Sequence, residues 1–403
     1  MALWGVSAAS LLVLVASAWW SVGCEQGASS GDLGQGAQAY QALLERTVRD
    51  DPSIPGAVLS VRTPQGSFDG AAGRSRFGGP SLEPDALFRA ASVTKTFVSA
   101  AILVLWERGE ISLDAPIEGL LSEGSVGALR GGGYDPAAIT VRHLLTHTSG
   151  LFDYTDTSSF DEIIDEDATH RWSRAEQLEL AMDEGEPLSE PGAEYHYGDT
   201  NYILLGEILE RQTSLPLGAA MRGLLRYEEL GLKDTWMETL EEAPQGTSGR
   251  LSHPYLEEED TFGWDPSWDL FGGGGLVTST QDLVRFMAAL FDTEDGIFRD
   301  ARTLAEMLKV PPPAEGAFFG ADGAAGVGRF ELDDGRLCYG GFGFFSTIVV
   351  RCEEPGWTFA ATLNQSDPKD GEVLLDGVLE LLVAQEGSEE EAPKARRPNK
   401  RRP

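Results

Sequence analysis

Residues 93–106 (Val-Thr-Lys-Thr-Phe-Val-Ser-Ala-Ala-Ile-Leu-Val-Leu-Trp) constrain this chain more than any other stretch. Wound as a helix they are apolar on nearly every side, and such a helix must lie buried at the centre of a protein. We read a helix over 92–108, stopped by Gly109. The chain can surround such an element: it has 403 residues and is 41% hydrophobic, which excludes wholesale disorder.

On either side of that helix the pattern changes. Residues 57–62 (Ala-Val-Leu-Ser-Val-Arg) and 67–71 are β-prone, with a turn at 63–66. The middle, from about 113 to 242, is helical and loop-rich. Strands return at 328–332, 336–340, 344–351 and 357–363, and 370–384 closes the body as an amphipathic helix. Strands at both ends around a helical middle predict an α/β (α+β) architecture: one sheet built from both chain ends, flanked by helices, with a mostly helical lobe inserted. No repeat or long linker interrupts it, so residues 37–385 read as one domain. A cleft between lobe and sheet is the natural place for a site.

The ends read differently. Residues 1–23 are expected to be a signal peptide, because the apolar run 11–18 is too short for a membrane span. Ala16-Ser17-Ala18 fits ordinary secretion. Ser21-Val22-Gly23-Cys24 resembles a bacterial lipoprotein signal, which makes Cys24 a lipidation candidate. The Gly/Ser-rich stretch 24–36 behind it is a flexible tether and favours the anchored alternative. At the other end 386–403 reads as a disordered charged tail, acidic and then basic.

The 65 Asp+Glu outnumber the 31 Lys+Arg, giving a formal charge of −34. That balance argues against nucleic acid and against adsorption to anionic lipid. The expected partner is a small-molecule or peptide substrate, with membrane contact only through a lipid on Cys24. His143 and His147 are four apart, as zinc ligands on a helix can be. No Glu follows His143 and no third ligand is evident, so hydrogen bonds holding a helix end fit better. No metal or other cofactor is expected.

Ser92-Val-Thr-Lys95 is the stronger chemical signal. Residues i and i+3 of a helix share a face, so hydroxyl and ammonium can meet. A serine becomes a nucleophile when a neighbour takes its proton, and a buried lysine with a lowered pKa can do so. The same tetrapeptide spacing recurs at Ser366-Asp-Pro-Lys369, in a proline-broken turn where nothing orients the lysine.

In its setting, Phe88-Arg-Ala-Ala-Ser92-Val-Thr-Lys95-Thr-Phe resembles the first motif of the beta-lactamase-related serine hydrolases. These comprise class C beta-lactamases, D-alanyl-D-alanine carboxypeptidases, D-aminopeptidases and certain esterases. The resemblance continues through Ile111-Ser-Leu-Asp114, Ile139-Thr-Val-Arg-His143-Leu-Leu-Thr-His147, Tyr197-Gly-Asp199-Thr-Asn-Tyr and Gly273-Gly-Gly-Leu-Val-Thr-Ser-Thr-Gln-Asp282. It covers nearly the whole body, in the family's order.

The resemblance implies a beta-lactamase/transpeptidase-like fold and an acyl-enzyme on Ser92, with Lys95 and Tyr197 moving protons. It implies an oxyanion hole from the backbone N–H groups of Ser92 and Phe342, if Tyr339-Gly340-Gly341 stands for the third motif. Asp199 and Tyr339, with Gly341, then border the substrate. Asp199 replaces an asparagine of penicillin-recognising members, and a carboxylate cannot donate a hydrogen bond. A charged Asp199 also favours a charged Lys95 and a Tyr197-centred base. Tyr339 replaces a cation or histidine. Both changes tilt the expectation toward an esterase or D-amino-acid peptidase rather than an efficient beta-lactamase. Two other classes remain: an envelope protein of weak activity that binds peptidoglycan peptides or a partner, and a zinc hydrolase using both histidines. Cys338 and Cys352 are expected to be unpaired buried thiols, since a hairpin turning near Phe342 sets Cys338 opposite Ser346.

Overall fold

The computed structural model describes residues 35–390 apart from 293, 319, 355 and 367. The expected signal peptide, Cys24, nearly all of the tether and the basic tail lie outside the described residues. Among those described, no helix is long and apolar enough to cross a membrane.

Seven strands form the main sheet: β1 (Gly56–Thr63), β2 (Gly66–Gly73), β3 (Asp322–Gly323), β4 (Gly328–Glu331), β5 (Leu337–Gly343), β6 (Thr347–Cys352) and β7 (Thr358–Thr362). They are ordered β2-β1-β7-β6-β5-β4-β3 and every pair is antiparallel. The two chain ends meet where β1 pairs with β7, Val58 opposite Thr362. The sheet built from both termini is therefore as the patterning predicts.

Alternation along β1 explains the layers. Ala57, Leu59 and Val61 face a cluster that includes Tyr40, Leu44, Trp357 and Leu374, from the terminal helices Gln35–Asp50 and Pro368–Glu390 and their surroundings. The larger core lies on the opposite face, around the helix Thr94–Glu107, which is buried continuously from Thr94 to Leu105. A second sheet, absent from the sequence reading, joins Leu87–Arg89, Leu276–Ser279 and Trp236–Met237.

Three boundaries differ from expectation. The central helix starts at Thr94, after a 3₁₀ turn Ala91–Val93. Helix Gln35–Asp50 begins inside the expected tether. The last helix runs to Glu390, so the first five residues assigned to the charged tail are helical.

The hairpin β5–β6 is the main correction. Its register sets Cys338 opposite Cys352 and Gly343 opposite Thr347, so the turn centres on Phe345, not Phe342. The two cysteines face each other with Cα atoms 4.1 Å apart and form a disulfide. The expectation of free thiols fails because it rested on the misplaced turn.

Candidate active site

Ser92 is presented by the turn between strand Leu87–Arg89 and the central helix. Ala91, just before it, holds a φ of +46°, a left-handed conformation of a kind that costs about 1–3 kcal/mol in a non-glycine residue. One turn along, Lys95 is 2% exposed. Its Nζ donates to Ser92 Oγ at 3.0 Å and to the Gly273 carbonyl at 2.8 Å, and lies 2.5 Å from Asp199 Oδ1. Tyr197 hydrogen-bonds with both Ser92 and Lys95, and Lys95 Nζ lies 5.0 Å from its ring centre. The structure thus brings Ser92, Lys95 and Tyr197 together.

The electrostatics agree with the charged Lys95 that Asp199 implied in the sequence and not with a lysine of lowered pKa. Burial alone disfavours a charged Lys95, but Asp199 first, then Tyr197 and Asp269, overcome it and hold the ammonium above the ordinary lysine range. The lysine is a resident cation, not a lowered-pKa amine. Burial pushes the Tyr197 phenol up, while Lys95 pulls it back toward ionisation.

Two further carboxyls went unremarked in the sequence. Asp153 accepts from the backbone N–H groups of Asp199 and Thr200, at 2.9 and 3.1 Å, and so caps the helix Asp199–Thr213 from outside. Asp269 ends the 3₁₀ turn Pro266–Asp269, and its Oδ1 is buried with no hydrogen-bond partner among the described residues. Burial, then the charge of Asp199, pushes each carboxyl up to about 7. The glycine run makes room for this group. A Cβ on Gly274 would sit 2.1 Å from Asp269 Oδ1, and one on Gly273 would sit 3.0 Å from the Asp199 carboxyl. No motif signals Asp153 or Asp269, since neither adjoins a catalytic residue in the chain.

This cluster gives a stability prediction. Asp269 is surrounded by Asp199, Asp153, Lys95 and Arg89, and its charge in turn bears on the Tyr154 phenol. Its folded pKa of about 7 lies above the unfolded value near 3.9. Between those pH values the folded state keeps a proton that the unfolded state has lost, so this contribution to stability falls as pH rises through 7. Asp269→Asn should remove that fall. Its stability relative to wild type should be more favourable at pH 8 than at pH 5, by at least one pKa unit's worth, about 1.4 kcal/mol. Urea unfolding at both pH values checks it, and parallel shifts would contradict it.

Ser92, Lys95, Tyr197, Gly341 and Phe342 line one cleft, joined by Tyr195 and Phe318. Gly341 packs closely over the central helix, where an added Cβ would be 2.9 Å from Thr96 Oγ1. Asp199 is not among the cleft-lining residues and acts on the site through Lys95. The assignment of Tyr339 to substrate contact fails. It is 5% exposed, its ring packs on Phe291 at 5.5 Å, and its hydroxyl is turned to Glu353. Two residues along the same strand face, Gly341 reaches the cleft and Tyr339 reaches the core.

The histidines hold helix ends. His143 and Thr140 complete a reciprocal capping box, and His147 Nδ1 accepts from the Gly198 N–H at 3.2 Å. Burial, then Lys95, depresses the His147 pKa, so its ring is neutral. It packs at 4.5 Å between centroids on Tyr197.

A serine and a lysine one turn apart, met by a tyrosine from the helical lobe beside an antiparallel sheet, define the beta-lactamase/transpeptidase-like class. The chain belongs to the Beta-lactamase family, whose profile matches residues 43–383. It is 34% identical over 208 residues to the esterase EstB of Burkholderia gladioli, covering 48% of each protein. It is 28% identical over 265 residues to penicillin-binding protein 4 of Amycolatopsis lactamdurans, covering 63% of each. The matched part thus spans about half to three fifths of those relatives' lengths. Among solved structures, the D-stereospecific amidohydrolase from Streptomyces sp. aligns with a TM-score of 0.70 at 27% identity, over 83% of this chain and 97% of that one. The D-amino acid amidase from Ochrobactrum anthropi SV3 gives 0.72 at 24% identity, covering 87% and 99%, and supports the fold alone.

Proposed function

We propose that this protein is an exported serine hydrolase that forms an acyl-enzyme on Ser92 and cleaves an uncharged ester or amide. One observation carries the substrate class. Among the described residues, the sole cation lining the cleft is Lys95, and Asp199 already engages it at 2.5 Å. The rest of the lining is largely aromatic, from Tyr195, Tyr197, Phe318 and Phe342. Such a cleft suits an apolar acyl group and leaves a substrate carboxylate without a partner. Beta-lactams and peptides ending in D-alanine carry that carboxylate.

In the proposed reaction Ser92 Oγ attacks the carbonyl while its proton passes to the phenolate form of Tyr197, whose negative charge the Lys95 ammonium stabilises before the transfer. The leaving group takes the proton from Tyr197. Backbone N–H groups of Ser92 and Phe342 are the proposed donors to the oxyanion. Water then repeats the sequence on the acyl-enzyme and frees Ser92. The Cys338–Cys352 disulfide supports passage through an oxidising compartment, in keeping with export and an anchor on Cys24.

The reading is tested by incubating the protein with a p-nitrophenyl acyl ester, a chromogenic cephalosporin and a D-alanyl-D-alanine peptide. Mass spectrometry is expected to find an acyl adduct on the Ser92 peptide with the ester, and ester turnover should exceed cephalosporin turnover. No adduct with any substrate would favour a binding protein of weak activity. Faster cephalosporin turnover would overturn the argument from cleft charge.

A further inference from the structure

Four phenols crowd around the candidate site, and three have partners for their hydroxyls. Tyr197 bonds with Ser92 and Lys95, Tyr202 donates to the Leu145 carbonyl at 2.9 Å, and Tyr154 donates to the Trp268 carbonyl at 3.0 Å. Tyr195 differs. Its hydroxyl is shielded from solvent and has no hydrogen-bond partner among the described residues, although the residue lines the same cleft as Ser92. A buried O–H without a protein acceptor is a standing cost to the fold.

The ring is held in place. It meets His147 edge-on, with centroids 5.8 Å apart, and Gly323 of β3 lies against its other parts, where a Cβ would come within 2.8 Å of Cε2. His147 packs in turn on Tyr197, so Tyr195 is fixed relative to the reacting groups through one intervening ring. Burial, with the neighbouring Tyr197 and Tyr202, pushes its pKa up, so it remains a neutral phenol able to donate. Among the described residues none accepts from that donor; a substrate can.

We propose that Tyr195 is a specificity-determining residue whose O–H donates to an uncharged oxygen acceptor, a carbonyl or hydroxyl, carried by the substrate away from the scissile bond. The acceptor is uncharged because, among the described residues, the single cation lining the cleft is Lys95 and Asp199 already engages it. This deepens the hydrolase reading and rests on it. A site built to bond a polar substrate group discriminates strongly against an analogue lacking that group, because its own polar atom is then left unpaired.

The test uses two matched ester pairs with wild type and Tyr195→Phe, which keeps the ring and removes the donor. The first pair is p-nitrophenyl 4-oxopentanoate against p-nitrophenyl pentanoate, which places the ketone in the acyl group. The second is the pentanoyl ester of 4-hydroxyacetophenone against that of 4-ethylphenol, which places it in the leaving group. Within one pair, Tyr195→Phe is expected to lower kcat/KM for the ketone ester about tenfold more than for its hydrocarbon counterpart. The pair that responds identifies the acceptor's side, and a change confined to the acyl pair should also appear in the deacylation rate. Equal effects on both members of both pairs would make Tyr195 a structural residue and overturn the proposal, even with acylation of Ser92 intact. Absence of any Ser92 adduct in wild type would overturn the hydrolase reading, and this inference with it.

Discussion

Lys95→Ala should lower kcat/KM about a thousandfold toward any ester that acylates Ser92, the scale of a lost acid–base group. Two effects of the lysine disappear together. The first is its hydrogen bond to Ser92 Oγ. The second is its pull on Tyr197, the largest influence opposing burial on that phenol. Burial and the repulsion of Asp199 then hold Tyr197 protonated, opposed only by its weaker hydrogen bond with Ser92. The substitution also leaves Asp199 as a buried charge without its partner, a change that costs about 3–5 kcal/mol. Lost folding and lost chemistry must therefore be separated. The double variant Lys95→Met/Asp199→Asn removes both charges and should recover much of the stability. It should recover none of the rate. Steady-state kinetics beside urea unfolding of the three proteins checks this, and a double variant with near wild-type kcat would reduce Lys95 to a structural ion pair.

The sequence carried the parts of the site that are local in the chain. Ser92 and Lys95 are one helical turn apart, and Tyr197 sits in a motif of its own, so spacing and resemblance sufficed to unite them. The sheet from both termini was legible because β1 and β7 are short β-prone runs at opposite ends of the body, and the two then pair. What depended on segments outside the recognised motifs was not. The motif that carries Asp199 already implied a charged Lys95, but the contribution of Asp269, 174 residues away in the chain, was not visible. A lysine judged only by its apolar helix looks like a candidate for a lowered pKa, and the acidic neighbours reverse that. Tyr195 was passed over for a related reason: an aromatic residue two before Tyr197 reads as packing until its hydroxyl is found without an acceptor.

Removing the disulfide should destabilise the fold by about 2–3 kcal/mol. The Cys338–Cys352 bond closes a loop with a sequence separation of 14, for which the chain-entropy estimate is about 3 kcal/mol. The turn inside that loop, Gly343-Phe-Phe-Ser346, offers none of the Asn-Gly or Asp-Gly signals that fix a hairpin from sequence. Ser346 adopts a φ of +50° there. Centring the turn on Phe345 changes every cross-strand partner of β5, pairing the cysteines and sending Gly341 opposite Val349. The bond thus locks the register of the strand that brings Gly341 and Phe342 to the cleft. A Cys338→Ala/Cys352→Ala variant should show a lower urea midpoint at nearly unchanged m-value, and reductant should shift wild type in the same direction. Because the bond lies at the end of β5 away from the cleft, a folded variant should lose far less activity than Lys95→Ala. A register slip would instead remove activity and stability together, since it displaces both Gly341 and Phe342 from Ser92.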